Sequence, residues 1–295
     1  MIIDTTMFNK DFTTLGIRLA ELFDVVDLFV ICESKFTFSG IPKKLYLTEN
    51  MHQFSKYASK IQIVVEEKKH STKIAMIREI HQRKRISNHL KSLKISASDL
   101  ILYSDCDEIP RAEVIKELAS LRNVNALLEF RGFSNYLNME SDLWLRGRAV
   151  TFNNYLSIES LRQDIFLFNL EPRNGLRNMY VRVPNYWTTR TLYLWKLPLR
   201  FHRPNLEIIK NAGWHFNNLF LSDDIFVKIK SSAHTEHNTP EIMANAMENY
   251  LNGRDIYSGR QYRQVEIDST YPKEILSNIH QYKDFIFIEK RKDPT

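Results

Sequence analysis

Three carboxylates stand within four positions of the chain, at Asp105, Asp107 and Glu108, directly after the apolar run Leu100–Tyr103. In open α/β sheets, ligands bind beyond the carboxyl ends of the strands, which is where this cluster falls. Clustered carboxylates repel one another unless a cation neutralises them. Their oxygens suit Mg²⁺ or Mn²⁺, and either ion can also hold a diphosphate. The pattern therefore predicts a divalent-metal site at Asp105 and Asp107, with a solvated acidic turn that caps the following helix as the alternative.

Other polar residues are candidates for binding a nucleotide. Glu33 and Ser34 follow a strand-like apolar run, and their side chains could hydrogen-bond a base or a ribose. A polar exit from the strand explains them equally well. Arg78 belongs to a basic helical run, residues 78–85, and a guanidinium is well suited to bidentate contacts with phosphate. A basic run on a helix is usually a solvated face, which is the alternative for this segment.

Two histidine segments follow later in the chain. His215 lies between large aromatic residues, and His234 stands two positions before Glu236. A distant histidine can complete a metal site begun by an Asp-x-Asp pair, although a lone buried histidine is more often a packed core residue. Between them, Ser222–Asp224 indicates first a helix N-cap, and a catalytic role for Asp223 is the second interpretation.

The apolar pattern predicts the elements that position these residues. Four runs have strand length: Val25–Ile31, Ile61–Val65, Leu100–Tyr103 and Ala126–Phe130. Helical spacing joins Ile86, Leu90 and Leu93, and again Val114, Ile115, Leu118 and Leu121, in a helix opened by Pro110. Further helices begin at Thr239-Pro240 and at Pro272. Strands alternating with helices predict an α/β fold with a Rossmann-like, mostly parallel central sheet flanked by helices.

The composition excludes several classes of protein. The 295 residues, 43% hydrophobic and 26% charged, are typical of a soluble globular protein, and no apolar run reaches the length of a membrane span. Two cysteines exclude a disulfide framework and favour a reducing compartment. The net charge of +6 suits phosphates or a lipid surface, and no nucleic-acid-binding motif accompanies it. We therefore expect a cytoplasmic protein, with peripheral membrane association as an option, and no nucleic-acid partner.

Four sequence blocks together resemble a known family, glycosyltransferase family 17. They are Phe23–Thr37 with Gly40 and Pro42, Ser104–Pro110, Ala212–His215, and Tyr271–Leu276 with Tyr282 and Phe285. The family contains the β-1,4-mannosyl-glycoprotein β-1,4-N-acetylglucosaminyltransferases, whose eukaryotic members add the bisecting N-acetylglucosamine. The similarity runs from about Phe12 to Phe285, nearly the whole chain.

The resemblance implies a GT-A-type fold, a UDP-sugar donor, a divalent metal at Asp105 and Asp107, and inversion at the anomeric carbon. Arg83 falls where the family has an arginine on the helix before the metal strand. His215 matches the family's Gly-Trp-His and is expected to be the third metal ligand, with His234 as its rival. Trp214 of the same motif joins Glu33, Ser34, Arg78, Arg83 and Asp105 as a predicted donor-binding residue.

The resemblance also gives an expected division of labour. The chain is predicted to form one domain over residues 1–295. In it, residues 1–130 bind the nucleotide sugar, and residues 131–295 bind the acceptor and complete the metal site. UDP-N-acetylglucosamine is the expected donor, with other UDP-hexoses as the fallback. Asp223 matches an acidic position in the family and is the expected catalytic base, with Glu236 in reserve.

The acceptor is the part of the function that the resemblance leaves open. Residues 135–203 diverge most from the family, so a lipid-linked or surface-polysaccharide precursor is as good an expectation as a glycoprotein glycan. The membrane anchor of the Golgi members is not present, which favours a bacterial or viral relative. The alternatives are a non-catalytic sugar-binding relative and an Asp-x-Asp phosphohydrolase with Asp105 as its nucleophile.

Overall fold

The computed structural model of the chain describes residues 1–72, 74–163, 206–232 and 234–289, with every side chain in these ranges except those of Gln163, Asp223 and Thr235. Its centre is a large sheet. The strands, in chain order, are β1 Ile2–Phe8, β2 Leu28–Ser34, β3 Ile61–Glu66, β4 Leu100–Tyr103, β5 Glu108–Pro110, β6 Asn125–Ser134, β7 Met139–Glu140, β8 Trp144–Thr151, β9 Glu207–Asn217 and β10 Arg263–Gln264.

The sheet has a parallel half and a mixed half. Strands β3, β2, β1 and β4 lie side by side in that order, all parallel, as the alternation of strands and helices predicted. The other half continues through β8, β6, β7 and β10 with antiparallel pairing, while β9 lies parallel to β6 and antiparallel to β5. The expectation of a mostly parallel sheet is therefore wrong for this half. Its short connections between β6, β7 and β8 permit only antiparallel neighbours, because a parallel crossover needs a dozen residues or more.

Helices cover both faces of the sheet. The α-helices are α1 Phe12–Leu22, α2 Tyr46–Glu49, α3 Ala75–Leu90, α4 Ala112–Ala119, α5 Ile158–Gln163, α6 Ile225–Ser231, α7 Pro240–Leu251 and α8 Lys273–Ser277. Short 3₁₀ turns include Ser222–Asp224 and Thr235–His237. The predicted start of α7 is confirmed, since the Thr239 side chain accepts a hydrogen bond from the Ile242 amide at 3.3 Å. The predicted role of Pro110 is wrong, because it ends β5 and α4 begins two residues later.

The core shows that helices pack on both faces of the central strands, as in an α/β fold. Phe29 and Ile31 of β2 pack with α1 on one face, and Val30 packs with Ile86 of α3 on the other. A strand buried on both faces reads as a nearly continuous apolar run, which is why this strand was visible in the sequence. The two cysteines, Cys32 and Cys106, are buried and form no disulfide. In the described part of the chain, no helix is both long and apolar enough to cross a membrane.

Candidate functional site

The acidic segment forms the loop between β4 and β5, at the carboxyl edge of the parallel strands. A buried arginine holds its backbone in place. Arg18 of α1 donates to the carbonyl oxygens of Asp105 at 3.1 Å and Glu108 at 2.7 Å, and to the Ser104 hydroxyl at 2.9 Å. Its guanidinium is itself bound by the Asp4 carboxylate at 2.6 and 2.8 Å, and both side chains are fully buried. Because both charges are buried, removing one would leave the other uncompensated, so the Arg18–Asp4 pair is costly to break. The backbone of the loop is therefore held in a fixed shape.

The side chain of Glu108 is the most deeply buried of the three carboxylates in the loop. It binds Arg162 of α5 in a bidentate manner, with nitrogen–oxygen distances of 2.9 and 2.8 Å. It also accepts from the Trp144 indole at 2.6 Å and from the Asp105 amide at 3.0 Å. Burial opposes its ionisation, but the charge and hydrogen bonds of Arg162 outweigh that effect and lower the pKa of Glu108. Glu108 therefore holds the loop and is saturated with protein partners.

Asp105 is tied to the same guanidinium. One carboxylate oxygen pairs with Arg162, and the other accepts a hydrogen bond from the Tyr103 hydroxyl at 3.2 Å. Arg83 donates to that hydroxyl at 2.7 Å and pairs with Glu79 at 2.6 Å, so it lies one side chain removed from Asp105. The cation that relieves the repulsion in this loop is therefore Arg162, a residue that the sequence did not single out.

Asp107 faces a different set of partners. The nearest is His215, whose Nε2 lies 3.7 Å from its carboxylate. Burial would raise the pKa of Asp107, but attraction to His215 and Lys228 outweighs it and lowers the pKa. Lys228 of α6 also lies 3.5 Å from Asp11, whose pKa is raised by burial against that attraction. This side of the loop thus combines two carboxylates, an imidazole and an ammonium.

His215 and Trp214 lie on opposite faces of β9, as neighbours on a strand must. His215 stands opposite Glu108 across the β5–β9 pair and stacks on Trp144 with the ring centroids 4.6 Å apart. Trp214 points into the core, donates to the Thr270 carbonyl at 3.0 Å and is covered by the Arg111 guanidinium. The structure thus brings His215 to the acidic loop. A donor contact for Trp214 stays a prediction, and burial of its ring disfavours it.

Glu33 and Ser34 lie at the carboxyl end of β2, the predicted edge. The Glu33 carboxylate is fully buried and accepts from the amides of Leu47 and Thr48 at 2.9 and 3.1 Å, which caps α2. The Ser34 hydroxyl accepts from the Phe36 amide at 3.1 Å. These bonds account for both side chains without a ligand, so their contact with a nucleotide stays a prediction.

Arg78 lies beside Ser34 in a small pocket that Glu66, His70 and Gln82 also line. Its guanidinium donates to the carbonyl oxygens of Phe38, at 3.0 Å, and Thr72. The approach to Gly40 is close, because a Cβ atom there would lie 2.8 Å from the Arg78 Cζ, and its φ of +89° favours glycine. Arg78 therefore fastens two loops, and its predicted donor contact is not tested by these bonds.

The two candidate bases lie beyond β9. Asp223 belongs to the turn that precedes α6, and its side chain lies outside the described residues. The neighbouring Asp224 pairs with Lys10 at 2.5 Å. Glu236 is exposed and lies 2.9 Å from His234 Nδ1. Within the divergent stretch 135–203, residues 164–203 also fall outside the described residues.

The predicted metal ligands are not assembled as a trio in this arrangement. Within residues 1–72, 74–163, 206–232 and 234–289, the one group of three ligand atoms within 4.8 Å of one another comes from His234, Glu236 and His237. Asp105 turns towards Arg162, while Asp107 turns towards His215. A metal at Asp105, Asp107 and His215 therefore stays a prediction, and it requires Asp105 to change partners.

Several site residues were missed at the level of sequence. Arg18 offered a signal, because it is a lone charge among Leu15, Leu19 and Leu22 on the buried face of α1. Arg162 offered none, since its partners lie more than fifty positions earlier and meet it only through the fold. Lys228 likewise pairs with Asp11 and attracts Asp107 only through the fold.

The first half of the chain is similar to a known protein family. The sequence profile of glycosyltransferase family 17 matches residues 1–149. This chain is 24% identical to the β-1,4-mannosyl-glycoprotein 4-β-N-acetylglucosaminyltransferases of Rattus norvegicus and Homo sapiens over 246 residues. The match covers 78% of this chain, 42% of the rat protein and 43% of the human protein. The Mus musculus protein matches to the same extent. The chain thus spans less than half the length of these curated relatives.

Proposed function

The chain belongs to glycosyltransferase family 17, and on that premise we propose that it is a metal-dependent, inverting glycosyltransferase. It moves a sugar from a UDP-sugar to a saccharide acceptor on a GT-A-type fold. N-acetylglucosamine is the proposed sugar, because the relatives' names describe N-acetylglucosaminyltransferases. The acceptor is a glycan or a lipid-linked saccharide.

The acidic loop carries this proposal. It lies at the carboxyl edge of the parallel strands, within the residues that match the family, and its backbone is fixed by Arg18. Asp105 and Asp107 offer carboxylate oxygens and His215 an imidazole nitrogen, a donor set that fits Mn²⁺ or Mg²⁺. These three residues would hold the ion. When bound, a divalent cation neutralises the diphosphate leaving group.

The remaining chemistry falls to the chain's own side chains. Inversion by direct displacement needs a carboxylate that removes the proton from the attacking hydroxyl of the acceptor. Asp223 is the proposed base, because it precedes the helix whose Lys228 reaches the acidic loop. Glu236 is the reserve, held 2.9 Å from His234. Arg83 sets the position of Asp105 through the Tyr103 hydroxyl.

The proposal is tested by sugar transfer from a panel of nucleotide sugars, read by mass spectrometry, with Mn²⁺ and with a chelator. We expect turnover with UDP-N-acetylglucosamine that requires the metal. Asp142→Asn serves as a matched control, because Asp142 is an exposed carboxylate that pairs with Arg260 away from the loop. Metal-independent turnover would refute the metal. Hydrolysis of p-nitrophenyl phosphate without sugar transfer would favour the phosphohydrolase alternative.

A cytoplasmic location with peripheral attachment to membranes is part of the proposal. The sequence carries 41 Lys and Arg against 35 Asp and Glu, an excess that suits an anionic lipid surface. Co-sedimentation with vesicles of anionic phospholipid, compared with vesicles of phosphatidylcholine alone, measures it. We expect salt-sensitive binding to the anionic vesicles. Equal binding to both vesicle types, or none to either, would contradict the attachment.

A further inference from the structure

We propose that Arg162 is a built-in counter-ion of Asp105, which a divalent metal must displace before it can bind. The inference rests on the metal dependence proposed above and assigns a role to a residue outside the predicted metal set. Its basis is that the guanidinium occupies one of the two Asp105 carboxylate oxygens in the protein alone. A metal that binds Asp105 through this oxygen would replace the guanidinium there.

Hydrogen bonds from both terminal nitrogens hold the Arg162 guanidinium in place. One nitrogen, Nη1, binds Glu108 at 2.9 Å and the Arg146 carbonyl at 3.2 Å. The other, Nη2, is shared between Glu108 at 2.8 Å and Asp105. Glu108 has no competing use, because it is fully buried among protein donors. The guanidinium can therefore release Asp105 and keep its bidentate pair with Glu108.

The helix that carries Arg162 is itself held in the core. Ile158 and Leu161 of α5 are buried against Ile86 and Leu90 of α3. The Ser87 hydroxyl accepts from the Ile158 amide at 2.9 Å and donates to Glu159 at 2.7 Å. The positive charge is therefore not free to swing away when a cation approaches. It opposes the metal both by occupying an oxygen and by like-charge repulsion.

This arrangement has a consequence for the order of binding. A divalent ion alone must overcome the guanidinium, so its affinity for the protein is reduced. A nucleotide diphosphate brings negative charge that can accept the hydrogen bond Nη2 no longer donates to Asp105, since guanidinium suits phosphate. Metal and nucleotide should therefore strengthen each other's binding, and linkage requires the effect to be reciprocal.

Mn²⁺ titration in the absence of nucleotide tests the proposal, with free Mn²⁺ measured by electron paramagnetic resonance. The main variant is Arg162→Met combined with Glu108→Gln, because Arg162→Met alone leaves a buried carboxylate without its cation. Arg162→Lys keeps the charge. Arg131→Met is the matched control, since it breaks the 2.7 Å pair between Arg131 and Glu140 elsewhere in the sheet. Thermal melting establishes that each variant is folded.

We expect the double variant to bind Mn²⁺ about tenfold more tightly than the wild type, within the usual range of coupling between competing groups. Arg162→Lys and Arg131→Met should stay near the wild-type affinity. UDP should strengthen Mn²⁺ binding less in the double variant than in the wild type. Equal or weaker Mn²⁺ binding by the folded double variant would overturn the proposal while leaving the metal site standing. Failure of both wild type and double variant to bind Mn²⁺, with or without UDP, would refute the metal site as well.

Discussion

The two aspartates of the acidic loop stand two residues apart and have opposite surroundings. Asp105 lies against what can be called the fixed wall, formed by Arg162, Glu108, Tyr103 and Arg83. Its positive charges belong to guanidinium groups, which do not lose their protons in proteins. Asp107 lies against the adjustable wall, formed by His215, Lys228 and Asp11, which presents an imidazole, an ammonium and a carboxylate in place of guanidinium groups.

The difference shows how one loop can serve two purposes. The fixed wall compensates the charges of Asp105 and Glu108 with a guanidinium group of the chain itself. The adjustable wall places an imidazole and an ammonium beside Asp107, with His215 Nε2 3.7 Å from its carboxylate, a separation longer than a normal hydrogen bond. Asp105 is therefore expected to bind a metal only in exchange for Arg162, whereas the nearest partner of Asp107 is an imidazole that would itself hold the ion.

Removing the buried support of the loop should have the largest effect. Arg18→Met leaves Asp4 buried without its cation and should lower the free energy of unfolding by about 3–5 kcal/mol. Urea denaturation followed by circular dichroism measures it. Combining Arg18→Met with Asp4→Leu should recover much of the loss, because no uncompensated charge then remains. A single variant as stable as the wild type would show that the loop does not depend on this pair.

Removing either loop aspartate should stop sugar transfer. Asp107→Asn and Asp105→Asn are each expected to lower kcat/KM by at least about 100-fold, because charge stabilisation by a bound metal contributes several kcal/mol. The melting temperature of Asp107→Asn should stay close to that of the wild type, because the Asp107 carboxylate is partly exposed. Turnover near the wild-type level at saturating Mn²⁺ would remove the acidic loop from the chemistry.

The two histidines separate the adjustable wall from the exposed cluster beyond α6. His215→Ala should weaken Mn²⁺ binding about tenfold or more if the imidazole belongs to the metal site, with little change in stability. If it is only a packed residue, the same change should instead destabilise the fold by about 1–3 kcal/mol. His234→Ala is the matched comparison, since His234 is exposed and lies with Glu236 and His237. Loss of Mn²⁺ affinity in the His234 variant alone would move the metal to that cluster.

A carboxylate far from the loop gives the smallest effect and serves as a reference. Hydrogen bonds from Arg263 and Arg131 outweigh the opposing effect of burial and lower the pKa of Glu140 below its ordinary value of 4.5. A lowered folded-state pKa stabilises the protein above 4.5, and that stability is lost as the pH falls through the folded-state value. Glu140→Gln should therefore flatten the acid side of the stability curve. Glu113→Gln, at an exposed position on α4, should leave the curve unchanged, and equal slopes for both variants would contradict the assignment.

The sequence predicted the strands whose residues are uniformly apolar and missed those that carry buried charge. The strand Leu100–Tyr103 was predicted with its observed bounds, because its four residues are apolar or aromatic. Strand β1 was missed, since Asp4, Thr5 and Thr6 interrupt its apolar pattern, and Asp4 is acceptable there only because Arg18 pairs with it. Strand β2 ends later than predicted, at Ser34, because its last polar residues are also buried.

Within the site, the two loop aspartates could be predicted from the sequence, but the partner that each one faces could not. Asp105 and Asp107 were recognisable because strand end and carboxylate cluster coincide in a few consecutive residues. Their partners Arg162, His215 and Lys228 come from distant elements, and which aspartate each one faces depends on how α5, α6 and β9 pack. Local patterns carry no information on that packing. The donor sugar and the acceptor depend on contacts that neither the pattern nor the described residues contain.

Trp144 gives the loop an intrinsic optical probe. Its indole nitrogen donates to Glu108 on one wall, and its ring stacks on His215 of the other. The emission of an indole responds to the charges and to the protonation of an imidazole in contact with it. A chain whose Trp187, Trp195 and Trp214 are replaced by phenylalanine would therefore report events at both walls as one fluorescence signal. Titration with diamagnetic Mg²⁺, which does not quench by itself, would then follow ion loading in real time and without any attached label.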